Sequence, residues 1–458
     1  MEINPAVTFR HDRSVMHAKR PKVLIAGAGL GGLSLGILLH KAGIPFEIFE
    51  RAAEVKPLGS AISLNSTTAP FLRQIGVWDE FHGASKRMEA IQIANEKREI
   101  EFAMADSDLD QVERYGADAR IISRPELYRI LLKQVPKEHI HLGKKVLSTQ
   151  QGNNRVIINC SDGTEYQGDI LVGADGAYSA VRQNMYDQLK KKKALPLSDG
   201  LPLPFTTVCL VGQTHPLTTA QFPDLAKEDT QFLNTLSRDK PYSSEWGAEA
   251  AEAMCEDVRH LPIISGGEKP LTLGDLIDWT PKELISKVML EEKVFKTWSH
   301  GRTVLIGDAC HKFSPAGGAG AANAIHDAIV LVNYLHALPE HPVEEDIEKA
   351  FKAYKDERTE WVNGAFETSQ VLRNMVDKGL KPKLIRMAIK HLPKFANRAM
   401  ESRLCSNRPQ AYFLPPDTTP ATLKPAKQPS LNAPALFSKE YSEARVKQQQ
   451  GKEPVISV

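Results

Sequence analysis

The residues from Val23 to Gly32 have the types and spacing of a dinucleotide-binding turn. A short apolar run, VLIA, is followed there by GAGLGG. Gly27 permits a tight turn, Gly29 lets the backbone approach a pyrophosphate, and Gly32 lets the next helix lie close to the strand. The phosphates would then lie at the helix N-terminus, where unpaired backbone N–H groups point outward. This pattern alone predicts only that some adenine dinucleotide binds.

A second segment narrows the choice of dinucleotide. Residues Arg302 to Ala309 are another apolar run, which ends in Gly307 and Asp308 before more glycines. A nicotinamide enzyme completes its site within one doubly wound sheet, whereas a flavin enzyme of this type closes over the far end of its cofactor with residues from much later in the chain. The two segments together therefore favour a flavin dinucleotide. Glu50, at the end of the next apolar run, is placed to accept hydrogen bonds from the adenosine ribose, and its charge disfavours a 2′-phosphate.

The elements around these motifs follow from hydrophobic periodicity. Residues 22–28 predict a strand, residues 30–42 a helix that ends at Gly43, and residues 44–50 a second strand, which together make a βαβ unit. Further predicted elements are a helix over 124–134, strands over 155–159, 165–172, 205–211 and 231–236, and long helices over 321–338 and 347–376. No internal repeat interrupts this order.

Composition and charge exclude several classes of protein. The 458 residues are 42% hydrophobic with a formal net charge of +2, so nothing calls for a nucleic-acid partner. The five cysteines show no Cys-x-x-Cys spacing, which predicts free thiols in a reducing, cytoplasmic compartment and no metal site. The first twenty residues lack the apolar core of a secretory signal, and no window is apolar for long enough to span a membrane.

Three separated motifs carry a resemblance to a known family. Besides the glycine turn and Gly307-Asp308, the residues Asp169 to Arg182, DILVGADGAYSAVR, are similar to an Asp-Gly motif centred on Asp175. The chain resembles the FAD-dependent monooxygenases of the aromatic hydroxylase class, which share the p-hydroxybenzoate hydroxylase fold, and it is most like fungal members. The resemblance covers roughly Lys22 to Leu414.

The resemblance implies roles for single residues. Asp308 would bind the ribityl chain, Asp175 would support both FAD and the nicotinamide donor, and Arg124 would reach the phosphate or ribityl side of the flavin. Backbone N–H groups at Gly320 and Ala321 would face the pyrimidine end of the flavin, where negative charge develops on reduction. The full predicted set for FAD is Gly27, Gly29, Gly32, Glu50, Arg51, Ala61, Arg124, Asp175, Asp308, Gly320 and Ala321. No catalytic side chain is assigned.

The resemblance also implies a fold and a division of the chain. The expected fold is α/β, a Rossmann-like FAD-binding domain with an inserted α+β substrate domain and a helical C-terminal region. The expected segments are an N-terminal extension (1–21), the first part of the FAD-binding domain (22–184), the substrate domain (185–300), the second FAD-binding part (301–376), a basic amphipathic helical region (377–414) and a disordered tail (415–458).

The chemistry that the family implies is oxygen insertion. NADPH or NADH would reduce the flavin as a transient co-substrate, O2 would form a C4a-hydroperoxide, and one oxygen atom would hydroxylate or epoxidise a small aromatic, polycyclic or terpenoid metabolite. Two departures leave alternatives open. Residues 315–324, PAGGAGAANA, lack the glutamine common in relatives, and residues 237–293 show mainly helical and loop patterns where relatives carry strands. An FAD oxidase or dehydrogenase, or a flavin-binding protein without catalysis, fits the same motifs. The substrate, the choice between NADH and NADPH, and the oligomeric state stay open.

A basic amphipathic segment follows the long helices. Its predicted apolar face is Leu380, Leu384, Ile385, Ala388, Ile389 and Leu392, and its basic residues are Lys381, Lys383, Arg386, Lys390, Lys394 and Arg398. Such a helix lies either on an anionic membrane surface or against the flavin domain with its basic face in solvent. The sequence keeps both readings, and with them peripheral membrane contact.

Overall fold

The computed structural model describes residues 20–54, 61–88, 90–95, 97, 99–105, 111–152, 154–212, 214, 248–264, 271–376 and 379–438. Strands and helices alternate in its first part, and helices dominate after residue 320. The predicted strand over 231–236 lies outside the described residues.

The strands fall into one central sheet and several small ones. They are β1 (Val23–Ala26), β2 (Phe46–Phe49), β3 (Ala61–Leu64), β4 (Lys86–Arg87), β5 (Ala90–Ala94), β6 (Ile100–Ala105), β7 (Arg120–Ser123), β8 (Ile140–His141), β9 (Val146–Gly152), β10 (Arg155–Cys160), β11 (Glu165–Gly168), β12 (Ile170–Gly173), β13 (Phe205–Val211), β14 (Pro262–Ile264), β15 (Leu271–Thr272), β16 (Ser286–Glu291), β17 (Lys293–Val294), β18 (Ser299–His300), β19 (Thr303–Leu305) and β20 (His311–Lys312).

The helices range from single turns to a long helix near the C-terminal end. They are α1 (Leu30–Lys41), α2 (Ala69–Gln74), α3 (Trp78–Ala84), α4 (Gln111–Tyr115), α5 (Arg124–Leu132), α6 (Ala180–Lys191), α7 (Leu197–Gly200), α8 (Ala248–Val258), α9 (Leu273–Asp278), α10 (Gly320–His336), α11 (Glu344–Val376), α12 (Leu380–Lys390) and α13 (Lys394–Ser406). Among the helices of the described residues, none combines the length and the apolar character that crossing a bilayer requires.

The central sheet has the strand order β18-β19-β12-β1-β2-β8. Its strands from β19 to β8 run parallel, and only β18 is antiparallel to its neighbour. β1 and β12 are buried along their whole length, as expected of parallel strands covered on both faces. Helices α1 and α10 pack against each other beside this sheet. The predicted α/β class is therefore confirmed.

Two sequence predictions differ from the structure in this part of the chain. The single strand predicted over 165–172 is two strands, β11 and β12, which belong to different sheets. Residues 237–293 were expected to be mainly helical and loop, and their described part contains α8 and α9, but it also contains β16, which pairs antiparallel with β13 over six residues. The pairing strand lies about seventy-five positions away in the sequence, so local periodicity does not reveal it.

The C-terminal tail also differs from its prediction. Over residues 415–438 the prediction of disorder is wrong, because this segment packs against the rest of the protein, first as irregular chain and then, from Pro429 onward, as a 3-10 turn followed by a helical turn. Asp417 pairs with Arg73 at 2.9 Å, the Ser430 hydroxyl donates to Glu357 at 2.9 Å, and Phe437 is buried. The composition suggested disorder, but Ser430 bonds to Glu357 of α11, and the Gln428 side chain donates to the Arg408 carbonyl in the loop after α13. Residues 439–458 lie outside the described residues.

Candidate functional site

The carboxyl ends of the central strands bring the predicted site residues to one edge of the sheet. Ala26 of β1 lies opposite Gly173 of β12, and Gly173 lies opposite Leu305 of β19. The chain leaves these three neighbouring strands into the glycine turn, the Asp-Gly motif and the Gly307-Asp308 turn. Ligands of open α/β sheets bind at this edge.

The glycine turn has the close approaches that the sequence predicts. Gly27 has a φ of +102°, and a Cβ there would lie 2.4 Å from the carbonyl oxygen of Ala174. A Cβ on Gly32 would lie 2.0 Å from the carbonyl oxygen of Gly27. Gly29 differs, because a Cβ there would meet nothing within 4 Å. Gly27 and Gly32 are thus required by packing, whereas Gly29 borders open space at the start of α1, where a phosphate group fits.

Glu50 lies at the end of β2 and is tied to this turn. Its Oε2 accepts the Ala28 N–H at 2.9 Å, and its Oε1 accepts the Ala52 N–H at 3.0 Å. Each carboxylate oxygen keeps lone pairs for further donors, such as ribose hydroxyls. The neighbouring Arg51 is exposed to solvent. The structure therefore brings Glu50 to the turn and leaves Arg51 at the rim.

Asp175 follows β12 and lies against Gly27. Its Oδ2 accepts the Val181 N–H at 3.2 Å, while its Oδ1 is buried without a hydrogen-bond partner among the described residues. Burial raises the pKa of this carboxyl group, and hydrogen bonds from Ser179 and backbone N–H groups oppose the rise. An unsatisfied buried oxygen is costly, so a ligand donor at Oδ1 fits this position.

Asp308 sits in the 3-10 turn Gly307–Ala309 that follows β19. Gly307 has a φ of +59°, and a Cβ there would come within 3.1 Å of the Ala324 side chain on α10. The Asp308 carboxylate is partly exposed, and within the described part of the chain no group donates a hydrogen bond to it. A free acceptor at the end of an apolar strand suits a polyhydroxylated ligand.

A buried carboxylate that the sequence analysis did not assign holds this turn. Asp327 of α10 accepts the Gly307 N–H at 2.8 Å and pairs with His311 at 2.6 Å and with Arg358 at 2.8 Å. Burial would raise the pKa of Asp327, but His311 and the Arg358 guanidinium lower it, so the group stays ionised. Cys310, His311 and Asp327 come close enough for a metal, yet the Arg358 cation already occupies the carboxylate. The signal in the sequence was one acid within a buried apolar helix.

The start of α10 lies beside the Gly307–Ala309 turn. Gly320 and Ala321 form its first turn, and a Cβ on Gly320 would meet nothing within 4 Å. The preceding Gly318 has a φ of +58° and lies against β3, where a Cβ would come 2.5 Å from the Ser63 hydroxyl. The N–H groups of this turn are therefore open to a ligand beside β3.

Two further predicted residues lie next to each other beside this turn. Ala61 of β3 pairs with Ser123 of β7, so Arg124, which begins α5, is one residue beyond that pair and is exposed. The structure thus brings Ala61 and Arg124 to the same place, on the sheet that Gly318 contacts.

A second unassigned cluster joins the Asp-Gly motif to β16. Glu291, at the end of β16, is 3% exposed. Its carboxylate accepts a hydrogen bond from the Tyr178 hydroxyl and forms an ion pair with Lys312 at 3.0 Å. Burial and Glu291 together raise the pKa of Tyr178 to about 12. The adjacent Glu292 pairs with Arg373 of α11. The signal available in the sequence was a pair of acids ending an apolar run.

Both glycine segments converge on one helix. A Cβ on Gly31, in α1, would lie 3.3 Å from the Ala324 side chain, which is the same side chain that limits Gly307. The glycine turn and the Gly307-Asp308 turn therefore border one site. That site has open space at Gly29 and Gly320, a buried oxygen of Asp175 without a partner among the described residues, and a free acceptor at Asp308. These residues fit an FAD molecule, and the fold and the site define a flavoprotein of the FAD-binding class.

Comparison with known proteins places the chain within that class. The chain belongs to the FAD binding domain family, whose model matches residues 20–369. It is 31% identical to the FAD-dependent monooxygenase penM of Penicillium crustosum, over 76% of this chain and 77% of that protein. It is 30% identical to the aurachin C monooxygenase/isomerase of Stigmatella aurantiaca, over 80% of this chain and 94% of that protein.

The fold has solved counterparts as well. Klebsiella pneumoniae HpxO, crystallised with FAD and uric acid, matches with a TM-score of 0.63 and 20% identity, covering 84% of this chain and 96% of that one. That similarity shows the fold alone. The class of enzyme is indicated by the sequence relatives. The predicted resemblance is confirmed: the chain is an FAD-dependent oxidoreductase whose sequence relatives are named FAD-dependent monooxygenases.

Proposed function

We propose that this enzyme uses NAD(P)H and O2 to hydroxylate or epoxidise a small aromatic, polycyclic or terpenoid metabolite. In that reaction NAD(P)H supplies two electrons, one oxygen atom enters the product, and the other leaves as water. The proposal is supported by the names of the relatives, which are FAD-dependent monooxygenases and an aurachin C monooxygenase/isomerase. FAD, when bound, supplies the electron transfer and the activation of O2.

The observation that carries the proposal is the meeting of the two glycine segments at one sheet edge. Gly29 and the start of α1 would receive the pyrophosphate, and Glu50 the adenosine ribose. Asp308 would accept hydrogen bonds from the ribityl hydroxyls. The N–H groups of Gly320 and Ala321 would face the pyrimidine ring.

Asp175 has a buried carboxylate oxygen that is left for a donor group of a ligand. Its raised pKa and its unpartnered buried oxygen support a donor group beside it, from FAD or from the nicotinamide co-substrate. The Tyr178–Glu291 hydrogen bond ties the same loop to the inserted block. These side chains would orient ligands and limit the access of water.

Isotope incorporation under 18O2 tests the proposed reaction. The holoenzyme, NADPH or NADH, and a panel of lipophilic aromatic and terpenoid compounds are incubated under 18O2, and products are analysed by mass spectrometry. We expect one 18O atom per product molecule. NAD(P)H-dependent peroxide release with an unlabelled oxidised product would instead identify an oxidase, and no NAD(P)H-dependent bleaching of the flavin with any compound would indicate a flavin-binding protein without catalysis.

The variant Asp308→Ala provides the control for this experiment. It removes the acceptor assigned to the ribityl chain and touches no other described side chain through a hydrogen bond. Labelled product should fall in proportion to FAD occupancy. Full labelling by protein without FAD would contradict the proposal.

We also propose peripheral contact with a membrane. Leu380, Leu384 and Phe395 of α12 and α13 are largely exposed apolar side chains in a basic segment. No described helix can cross a bilayer, so contact at the surface is the form that these side chains support.

A further inference from the structure

Helix α12 carries an apolar stripe on the side that faces solvent. Leu380 is 82% exposed, Leu384 is 62% exposed, and Met387 is 47% exposed. Their spacing of four and three residues places them on one face of the helix. Phe395, at the start of α13, is a fourth largely exposed apolar side chain, at 76%. We call these four side chains the outer stripe.

The opposite side of α12 is the side that packs on the protein. Ile385 and Ile389, which the sequence analysis grouped with Leu380 and Leu384, are half-buried. Arg386 pairs with Glu101 of β6 at 3.2 Å and donates to the Met375 carbonyl of α11. The predicted apolar face is therefore divided between two sides. One side of α12 packs on the protein, and the opposite side exposes apolar side chains to solvent.

The charges around the outer stripe are positive. The segment from Leu380 to Ser406 contains one acidic residue, Glu401, and that residue pairs with Arg114 of α4 at 3.7 Å. Lys383 and Lys390, spaced seven residues apart, are exposed beside the stripe. In the part of the chain that the structure describes, neither lysine has a carboxylate within ion-pair distance.

We propose that the outer stripe and its flanking lysines bind the surface of a membrane that contains anionic phospholipid. Leucine, methionine and phenylalanine side chains would enter the boundary between headgroups and acyl chains, and the two ammonium groups would meet lipid phosphates and carboxylates. A second copy of this chain fits less well, because an isologous contact sets Lys383 and Lys390 against the same basic face of the partner. The inference deepens the proposed peripheral contact and does not depend on the flavin chemistry.

The position of α12 connects this face to the flavin end of the site. Arg386 fixes α12 on the C-terminal end of α11. Farther back on α11, Arg373 pairs with Glu292, and the Ser369 hydroxyl donates to the Ser314 carbonyl at 2.9 Å. One helix therefore links the lipid-facing surface to the loop before α10. A substrate dissolved in the membrane would be presented on this side of the enzyme.

Vesicle flotation with the full-length holoenzyme tests the inference. The probes are vesicles of phosphatidylcholine alone and vesicles of phosphatidylcholine with phosphatidylserine. We expect binding mainly to the anionic vesicles, weakened by salt. Reversal of both lysine charges, Lys383→Glu with Lys390→Glu, should weaken that binding roughly tenfold or more. Leu384→Asp with Phe395→Asp should abolish it.

A matched control separates the outer stripe from apolar exposure in general. Leu197 of α7 is 92% exposed on another element, and Leu197→Asp should leave vesicle binding unchanged. All variants should keep their bound FAD and its absorbance spectrum, which excludes misfolding as the cause of lost binding.

The outcomes distinguish this inference from the broader proposal. Failure to bind any vesicle would overturn both the peripheral contact and the inference. Equal binding to neutral and anionic vesicles, or binding that ignores the lysine reversals, would leave peripheral contact standing and overturn the anionic-lipid assignment. A concentration-dependent dimer in sedimentation velocity that Leu384→Asp with Phe395→Asp dissociates would assign the stripe to a second copy and overturn the inference.

Discussion

The two ends of the proposed FAD site, the adenosine end and the flavin end, are built in different ways. At the adenosine end, the glycine turn and Glu50 belong to one βαβ unit, and Glu50 holds the turn through a residue twenty-two positions away. At the flavin end, Asp308 depends on Asp327 of α10, which in turn pairs with Arg358 of α11. One end is organised by local backbone geometry, and the other by a buried ionic network that joins separate elements.

This difference predicts how each end fails. The glycine turn is disrupted when a side chain is added at Gly27 or Gly32, because the turn has no room for one. A buried network fails when one partner is removed, because the remaining charges lose their compensation.

The largest effect is expected from Asp327→Ala. Arg358 and His311 would remain buried without their partner, and the Gly307 N–H would lose its acceptor. Breaking a buried pair in this way costs about 3–5 kcal/mol of unfolding free energy. Chemical denaturation of the apoprotein measures it.

A matched acid on the surface controls for the loss of a carboxylate. Asp356 pairs with Lys352 in an exposed ion pair on α11. Asp356→Ala should cost less than about 1 kcal/mol, because exposed pairs contribute little. Equal losses of unfolding free energy for the two variants would contradict the claim that the ionic network around Asp327 stabilises the Gly307-Asp308 turn.

At the adenosine end, Gly32→Ala and Gly29→Ala should separate packing from ligand space. The Cβ on Gly32 would meet the Gly27 carbonyl oxygen at 2.0 Å, so the apoprotein should lose about 1–3 kcal/mol of stability. The Cβ on Gly29 meets nothing within 4 Å in the protein, so it should leave the apoprotein nearly unchanged and weaken FAD binding. Thermal unfolding and FAD titration are measured on both. A stable apo Gly32→Ala, or a Gly29→Ala that binds FAD normally, would contradict this division.

The flavin end should also be the more acid-sensitive one. Burial and the nearby Arg358 lower the pKa of His326 to about 3, so this residue is neutral when it donates to the Thr67 carbonyl. The unfolded chain takes up that proton near pH 6.5, so stability is greatest above this pH and falls as the pH drops toward 3. Between pH 7 and 5.5 the expected loss is about 1 kcal/mol.

The variant His326→Gln isolates that contribution. Glutamine can still donate to the Thr67 carbonyl but does not titrate. The pH dependence of unfolding between pH 7 and 5.5 should be shallower in the variant than in the wild type, whatever their absolute stabilities. Parallel curves would assign the acid sensitivity to other groups.

Much of the adenosine end could be predicted from the sequence, because its parts are adjacent in the chain. β1, α1 and β2 follow from apolar runs bounded by glycines, and Gly27 and Gly32 have the close approaches that their motif requires. The strand before Asp308 was also apparent, since a short apolar run ending in Gly-Asp is a local signal.

The parts that escaped prediction depend on contacts between distant segments. Asp327 is an ordinary acid until α10 is packed under the Gly307 turn, and β16 becomes a strand by pairing with β13. Residues 415–438 have the composition of a disordered tail, and they are ordered by partners such as Arg73 and Glu357. The exposed stripe on α12 was hidden for the same reason, since only packing decides which apolar residues face the protein.

The most direct test of the account is FAD titration of the Asp308→Ala apoprotein, followed by flavin fluorescence. The account predicts a Kd raised at least about tenfold, since hydrogen bonds to a charged acceptor are lost. It also predicts an unfolding free energy within about 0.5 kcal/mol of the wild-type apoprotein, because this carboxylate has no hydrogen bond within the described residues. An unchanged Kd would contradict the central claim that the Gly307-Asp308 turn and the glycine turn hold the two ends of one FAD molecule.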